Sequence, residues 1–289
     1  MGLKTRGDDG RPVTSEFPID PVTAGDAEIP RLGFGTARMT GDECRHAVET
    51  ALDVGYRHVD TAQMYDNEAA VGDALEASDV AREDVFVVTK VHPSNAAADD
   101  VLESTGESLD RLGLSTVDLL LLHAPSDHAP LEETLGAMSD LQNDGAVSHV
   151  GVSNFSADQL ERAIEVSDVP IVANQVNCHP YHRQDDLLEY CVDHDVCLTA
   201  YSPLAEGAVA GDDQLADIGE PYDKSAVQVA LRWLVQQPSV SAIPKASSRE
   251  HIEANAAVFD FELTDDEMDA VSEVSGGLWT RLVDRLGLE

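Results

Sequence analysis

Two patterns of apolar and polar positions alternate along the chain. Short apolar, β-branched runs recur at L-G-F-G (32–35), Y-R-H-V-D (56–60), V-F-V-V-T-K (85–90) and V-D-L-L-L-L-H (117–123). They continue at V-S-H-V-G-V-S (147–153), I-V-A-N-Q (171–175), V-C-L-T-A-Y (196–201) and V-S-A-I-P-K (240–245). Between them the apolar residues take helical spacing, as in D-E-C-R-H-A-V-E-T-A-L-D-V (42–54) and A-V-Q-V-A-L-R-W-L-V-Q-Q (226–237). Gly55, Gly113 and Gly145 stand where such helices need a left-handed cap. Runs that are apolar on both faces predict a parallel sheet covered by helices. Strand and helix alternating through 289 residues predict an α/β chain, a single-domain (β/α)8 TIM barrel. The barrel is expected over 31–289 with a C-terminal loop or helix. Residues 1–30, polar and proline-containing, form an N-terminal extension expected either to cover the barrel bottom or to be partly mobile, and the sequence does not choose between the two. A doubly wound sheet is the alternative, but no G-x-G-x-x-G follows an early strand.

The run V-D-L-L-L-L-H-A-P (117–125) raises a question, because four leucines end on a histidine. Other runs end in polar groups too: Asp60, Lys90, His123, Ser153 with Asn154, Gln175, Tyr201 and Lys245. In a barrel the carboxyl ends of the strands meet at one rim, where active sites lie. One polar strand end means little; a succession of them predicts a site. Two of them are lysines in a chain that has only Lys4, Lys90, Lys224 and Lys245.

Charge narrows the function classes. Against 55 acidic residues stand 18 basic ones, a formal net charge of −37. Such a chain repels nucleic acid and anionic membranes. The acidic residues alternate with apolar ones, as in 99–112, so they read as solvated helix faces, and the composition resembles that of salt-adapted, halophilic proteins. No run of 18 apolar residues predicts a membrane span, and M-G-L-K-T-R-G-D-D-G has no signal-peptide core, so a cytoplasmic protein is expected. Cys44, Cys178, Cys191 and Cys197 form no C-x-x-C pair, and the lone Cys178-His179 dipeptide is a weak zinc signal, so no metal is expected. No partner-docking segment is evident; a monomer or weak oligomer is expected.

The motifs G-F-G-T (33–36), G-Y-R-H-V-D-T-A-x-x-Y-x-N-E (55–68), V-V-T-K (87–90) and D-L-L-L-L-H (118–123) occur in that order. They are followed by G-V-S-N-F (151–155), Q-V-N (175–177), Y-S-P-L (201–204) and I-P-K-A-S (243–247). Together they resemble the aldo-keto reductase family, from about Gly33 to Leu263, and look closest to its small prokaryotic diketogluconate-reductase-like members. The resemblance implies NAD(P)H-dependent reduction of aldehydes or ketones, with sugar-derived or keto-acid carbonyls in view. It implies a catalytic set of Asp60, Tyr65, Lys90 and His123. Chemistry agrees: an unperturbed tyrosine, with pKa about 10, is a poor acid, and a nearby ammonium favours its phenolate and lowers that value. Asp60 is expected to hold the ammonium, and a neutral His123 to orient the carbonyl.

For the cofactor, the resemblance assigns Ser153, Asn154 and Gln175 to the nicotinamide carboxamide and Tyr201 to the ring. It assigns Ser202 and Leu204 to the pyrophosphate, Lys245 and Ser247 to the 2′-phosphate and Asn255 to the adenine, with Gly35 and Thr36 also on the cofactor side. His251 stands where arginine usually grips that phosphate, and Ala254 where a glutamate is usual. Histidine has no bidentate fork. NADP(H) is still favoured through Lys245, with NAD(H) possible. Ala37, His92 and Ala124 line the substrate pocket; the last two replace common tryptophans, which predicts a wider, more polar pocket. Rival readings are a Schiff-base aldolase on Lys90 or Lys245 and a non-catalytic cofactor-binding regulatory subunit. A glycosidase needs two facing carboxylates, and only Asp60 is clear at the rim.

Overall fold

The computed structural model describes residues 20–274 and shows the eight strands as one curled parallel sheet. A hairpin of β1 (Val22–Ala24) and β2 (Ala27–Ile29) precedes it. The sheet strands are β3 (Phe34–Gly35), β4 (His58–Asp60), β5 (Phe86–Val91) and β6 (Val117–Leu122), then β7 (Val147–Ser153), β8 (Ile171–Asn177), β9 (Cys197–Tyr201) and β10 (Val240–Ala242). Each pairs with the next in order. A parallel bridge between Leu32 and Ala242 closes the cylinder, with the Gly33 N–H donating to the Ala242 carbonyl at 2.8 Å and the Ala242 N–H to the Arg31 carbonyl at 2.8 Å. The fold is the (β/α)8 barrel that the alternation predicts.

Helices alternate with these strands: α1 (Gly41–Val54), α2 (Glu68–Ala77), α3 (Ala98–Leu112), α4 (Leu131–Asn143), α5 (Ala157–Val166) and α6 (Asp185–Asp193). After β9 come α7 (Asp213–Gly219), which the periodicity did not reveal, and α8 (Ala226–Gln236). After β10 come α9 (Arg249–Ala256) and α10 (Asp265–Glu273). Gly55, Gly113 and Gly145 all take positive φ, as the cap pattern predicts. On α3 the buried positions are Val101, Ser104, Thr105, Ser108 and Leu112, a helical stripe that leaves the acidic residues outside.

Side chains alternate along each strand, and this answers the leucine question. Leu120 and Leu122 pack in the layer between sheet and helices. Leu119 and Leu121 face the barrel lumen, with Val88, Ala173 and Cys197. The hairpin sends Val22, Ala24, Ala27 and Ile29 into that same cluster, so it plugs the lumen from below. Residues 1–19 and the C-terminal stretch after 274 lie outside the described residues, so most of the expected extension and the expected last loop or helix are not part of this description.

One boundary needs correction. The run 240–245 was expected to be strand throughout, with Lys245 at its end. The strand stops at Ala242; beyond it the Ile243 N–H still donates to the Ala200 carbonyl at 3.1 Å, and the Pro244 carbonyl accepts from the Gly35 N–H at 3.2 Å. Pro244 has no N–H to continue the ladder, and Lys245 stands exposed on the loop beyond.

Candidate active site

Alternation also decides which side chains reach the rim. Lys90 lies two residues above Val88, His123 two above Leu121, and Gln175 two above Ala173, each on the lumen row. Asp60 ends β4. At this rim Lys90 Nζ donates to Asp60 Oδ1 at 2.6 Å and to the Thr61 carbonyl at 2.8 Å. Lys90 is 0% and Asp60 1% exposed. The second carboxylate oxygen, Asp60 Oδ2, accepts from Gln175 Nε2 at 2.7 Å.

Tyr65 arrives on a single 3-10 turn, Gln63–Tyr65, closed by Asp66 in the left-handed region at φ 52. The loop is locked from behind. Thr61 Oγ1 donates to Asn67 Oδ1 at 2.6 Å, and Asn67 Nδ2 donates to the carbonyls of Thr36 and Met39 at 2.9 and 3.0 Å. The phenol ring then lies with its centroid 4.9 Å from Lys90 Nζ and meets the His123 ring edge-on, centroids 5.6 Å apart at 82°. The structure therefore brings together all four residues assigned to catalysis.

The electrostatics differ from the sequence expectation at one point. Burial pushes the Tyr65 phenol up; Lys90 opposes this, Asp60 adds to it, and the net direction is upward. The ammonium does favour the phenolate, as expected, but desolvation by burial outweighs it. For Lys90, burial alone works against the charge, yet Asp60 and Tyr65 overcome it and the ammonium is held more firmly than usual. His123 is pulled down to about 4, by burial first and then by Lys90, so it is neutral at pH 7 as expected. Its Nδ1 is buried and has no hydrogen-bond partner among the described residues. A phenol beside a buried ammonium, with a neutral imidazole at its edge, can hydrogen-bond a carbonyl oxygen and hand it a proton.

The groups assigned to the carboxamide lie beside this cluster but are tied to one another. Asn154, left-handed at φ 62, donates from Nδ2 to the His123 carbonyl at 2.9 Å and to Ser153 Oγ at 3.2 Å. Asn154 Oδ1 accepts from the Tyr201 hydroxyl at 3.0 Å, and Ser153 Oγ donates to the Gln175 carbonyl at 2.8 Å. Ser202 (φ 47), Ala205 (φ 48), Glu206 (φ 52) and Gly207 (φ 96) make a left-handed stretch around the half-buried Leu204. Across the rim, Arg38 Nη2 lies 2.6 Å from Glu206 Oε1, an ion pair that no motif had marked.

Two cofactor assignments look different in three dimensions. Thr36 is fully buried, its hydroxyl given to the Asp60 carbonyl at 2.9 Å, so its side chain supports Asp60. A Cβ on Gly35 would lie 2.7 Å from the Ile243 carbonyl oxygen, so that glycine serves the barrel closure. Ser247 and His251 are exposed near Lys245, and Ser248 Oγ caps α9 by accepting from the His251 N–H at 3.3 Å. Asn255 is buried on α9. Ala37, His92 and Ala124 are half-exposed on the loops after β3, β5 and β6. Met64, next to Tyr65, is 53% exposed, a large apolar side chain at the rim that no motif marks. No cluster of three or more potential metal ligands occurs among the described residues.

The model of the Aldo/keto reductase family matches residues 31–275. An aldo-keto reductase of Mycobacterium marinum is 39% identical over 255 residues, covering 88% of this chain and 90% of that protein. Among solved structures, a candidate 2,5-diketo-D-gluconic acid reductase B superposes with a TM-score of 0.88 at 44% identity, covering 91% of this chain and 93% of that one. A Bombyx mori aldo-keto reductase solved with NADP gives a TM-score of 0.82 at 32% identity, covering 88% and 93%.

Proposed function

The chain belongs to the aldo/keto reductase family and is an oxidoreductase of carbonyl groups, and we propose that it reduces aldehydes or ketones with Tyr65 as the proton donor. The observation that carries this reading is the buried Lys90–Asp60 pair set 4.9 Å beneath the Tyr65 ring with neutral His123 at its edge.

NADP(H) is the cofactor proposed, by analogy with relatives solved with NADP or NADPH. The donor set suits it: amide and hydroxyl groups of Ser153, Asn154 and Gln175 for a carboxamide, the Tyr201 ring for a planar heterocycle, and exposed Lys245 and Ser247 for an anion. A carboxamide can be met by the amide capacity still free beside the Tyr201–Asn154 and Gln175–Asp60 bonds, since each side-chain amide carries two donors and two acceptor lone pairs. When bound, the reduced cofactor supplies the hydride to the carbonyl carbon. His123 hydrogen-bonds the carbonyl oxygen and orients it. Tyr65 transfers its hydroxyl proton to that oxygen as negative charge develops there, and Lys90 stabilises the phenolate that remains. Asp60, with Gln175 and Thr61 behind it, keeps the ammonium in place.

The aldolase reading finds no support, because the 2.6 Å pair with Asp60 favours the ammonium form of Lys90, whereas a Schiff base needs the free amine. Half-exposed His92 and Ala124 favour polar substrates, including sugar-derived carbonyls. The net charge of −37 supports a salt-adapted enzyme. Four free, buried cysteines suit a reducing compartment, the cytoplasm, and no helix among the described residues is long and apolar enough to cross a membrane. A monomer or weak oligomer is the proposed state. The deciding experiment is a panel of aldehydes and sugar ketones assayed with NADPH and NADH in high salt. No turnover across that panel, from protein shown to be folded, rejects the reading.

A further inference from the structure

The Tyr65 turn is fastened at its front by one side chain. Gln63 Oε1 accepts from the His92 backbone N–H at 2.8 Å and from Asn95 Nδ2 at 3.2 Å. The second loop is the short 3-10 turn Pro93–Asn95, which leaves β5 directly after Lys90 and Val91. That turn is also tied to the loop carrying His123, because Ser126 Oγ donates to the Pro93 carbonyl at 2.6 Å. The turn is therefore a hub between the arm that carries Tyr65 and the arm that carries His123.

The amide orientation of Gln63 follows from its partner. A backbone N–H can only donate, so the atom facing His92 must be oxygen. Gln63 Nε2 is left buried without a hydrogen-bond partner among the described residues. A buried idle donor is costly, and native structures keep such groups where something other than stability is served. An apolar side chain of similar length at position 63 would avoid the idle donor but take the acceptor from the His92 N–H and Asn95 Nδ2 and give up the link to that loop.

We propose that Gln63 is a positioning residue for Tyr65, fixing the 3-10 turn against the His92 loop so that the phenol stays between Lys90 and His123. The proposal rests on the carbonyl-reductase reading. Mutations that misplace a reacting group by about 1 Å can cost on the order of a hundredfold in rate. A phenol carried on one short turn depends on whatever fixes that turn.

The test uses the full chain in high salt, with 4-nitrobenzaldehyde and NADPH, comparing wild type, Gln63→Leu and Gln63→Glu. Leucine removes both the acceptor and the idle donor. Glutamate keeps the acceptor and removes the donor. Gln63→Leu should lower kcat about tenfold, within the range expected for a misplaced reacting group, with KM and the NADPH dissociation constant unchanged. Its thermal midpoint should fall only modestly, because loss of the idle Nε2 donor offsets part of the cost of leaving the His92 N–H and Asn95 Nδ2 without their acceptor. The primary deuterium isotope effect on kcat should grow as hydride transfer becomes limiting, and Gln63→Glu should recover most of the rate. A Gln63→Leu enzyme with wild-type kcat and isotope effect overturns the proposal. So does a joint fall in kcat and thermal midpoint that glutamate fails to rescue, which is the pattern of a purely structural residue. A folded wild type that turns over no aldehyde overturns the functional reading and this proposal with it; an active wild type with an indifferent variant overturns this proposal alone.

Discussion

The Lys90 ammonium and the Asp60 carboxylate meet at 2.6 Å with 0% and 2% of their side chains exposed. Removing one partner of a buried pair leaves the other charge uncompensated, at a cost of roughly 3–5 kcal/mol. Lys90→Met should therefore destabilise the fold by about that much, since Gln175 and the loop alone are left to support the carboxylate. Adding Asp60→Asn removes the stranded charge, so the double variant should regain much of the lost stability while staying inactive. Urea melts of the wild type and the two variants at fixed high salt measure this. A Lys90→Met protein that melts with the wild type would show that the pair is not out of water.

Tyr65→Phe keeps the ring against His123 and removes the proton. Loss of a general acid costs about 10²–10⁴ in rate, and cofactor affinity should hardly change. Because the phenol is pushed above its ordinary value of 10.0, reduction should not lose its acid until strongly alkaline pH. Single-turnover hydride transfer across pH, followed by cofactor absorbance, checks both statements. Wild-type single-turnover rates in Tyr65→Phe would remove it from the role.

Two histidines make the acid side predictable. His123 and His179 are both pulled from 6.5 to about 4, chiefly by burial. His179 also accepts the Tyr181 N–H on Nδ1 at 3.2 Å, a bond that needs the neutral ring. Below pH 6.5 the unfolded chain takes up protons that the folded chain refuses. Their contribution to stability is thus complete above about 6.5 and lost progressively as pH falls towards 4. The thermal midpoint should drop across that window, and less steeply in His179→Gln. For catalysis, kcat/KM should show no limb near 6.5 from His123, because the ring stays neutral down to about 4. An acid limb at 6.5 that His123→Asn abolishes would contradict this.

The barrel was legible because its strands are apolar on both faces and its helices on one, and a continuous Leu119–Leu122 run can satisfy only a sheet covered on both sides. The four catalytic-type residues were legible as polar ends of such runs or as parts of a spaced motif. The hairpin was missed although V-T-A-G-D-A-E-I carries a turn pair, Gly25-Asp26, and alternating burial. Its strands are only three residues each, too short for a period to stand out. The Lys245 boundary was misplaced because a proline's missing N–H was read as part of an apolar run. Gln63 and Arg38 were invisible for another reason. Their partners, His92 and Glu206, lie on other loops, and sequence spacing does not report contacts made across a rim.

Salt dependence follows from charge. With 55 acidic residues against 18 basic, like charges crowd the helix faces. At about 1 M salt the Debye length falls to about 3 Å, which removes most of the repulsion between exposed groups. Thermal midpoint and activity should both rise from low salt to molar KCl, and molar NaCl should act similarly because screening does not depend on the cation. A midpoint flat across that range would reject salt adaptation.

Cofactor preference turns on the first turn of α9. Lys245 and Ser247 precede it on an exposed loop, and His251 lies exposed in its first turn, where the family resemblance implies an arginine. The nearby Arg249 does not substitute, because it lies 3.1 Å from Asp53 on α1 and 3.4 Å from Glu253 on its own helix. A guanidinium binds phosphate oxygens in a two-pronged, permanently charged contact that imidazole cannot copy. His251→Arg should therefore strengthen NADPH binding and leave NADH binding nearly unaltered. Hydrogen bonds to charged groups contribute about 1.5–3 kcal/mol. The gain should lie at the lower end, about tenfold in dissociation constant, since Lys245 already meets part of the phosphate charge and Glu250 and Glu253 flank the new guanidinium. Lys245→Ala should do the opposite, weakening NADPH far more than NADH. Fluorescence quenching at fixed high salt gives both constants for the wild type and for each variant. Equal shifts for both cofactors on His251→Arg would mean that residue 251 does not face the 2′ position, and the phosphate would then have to be held by Lys245, Ser247 and the capped end of α9 alone.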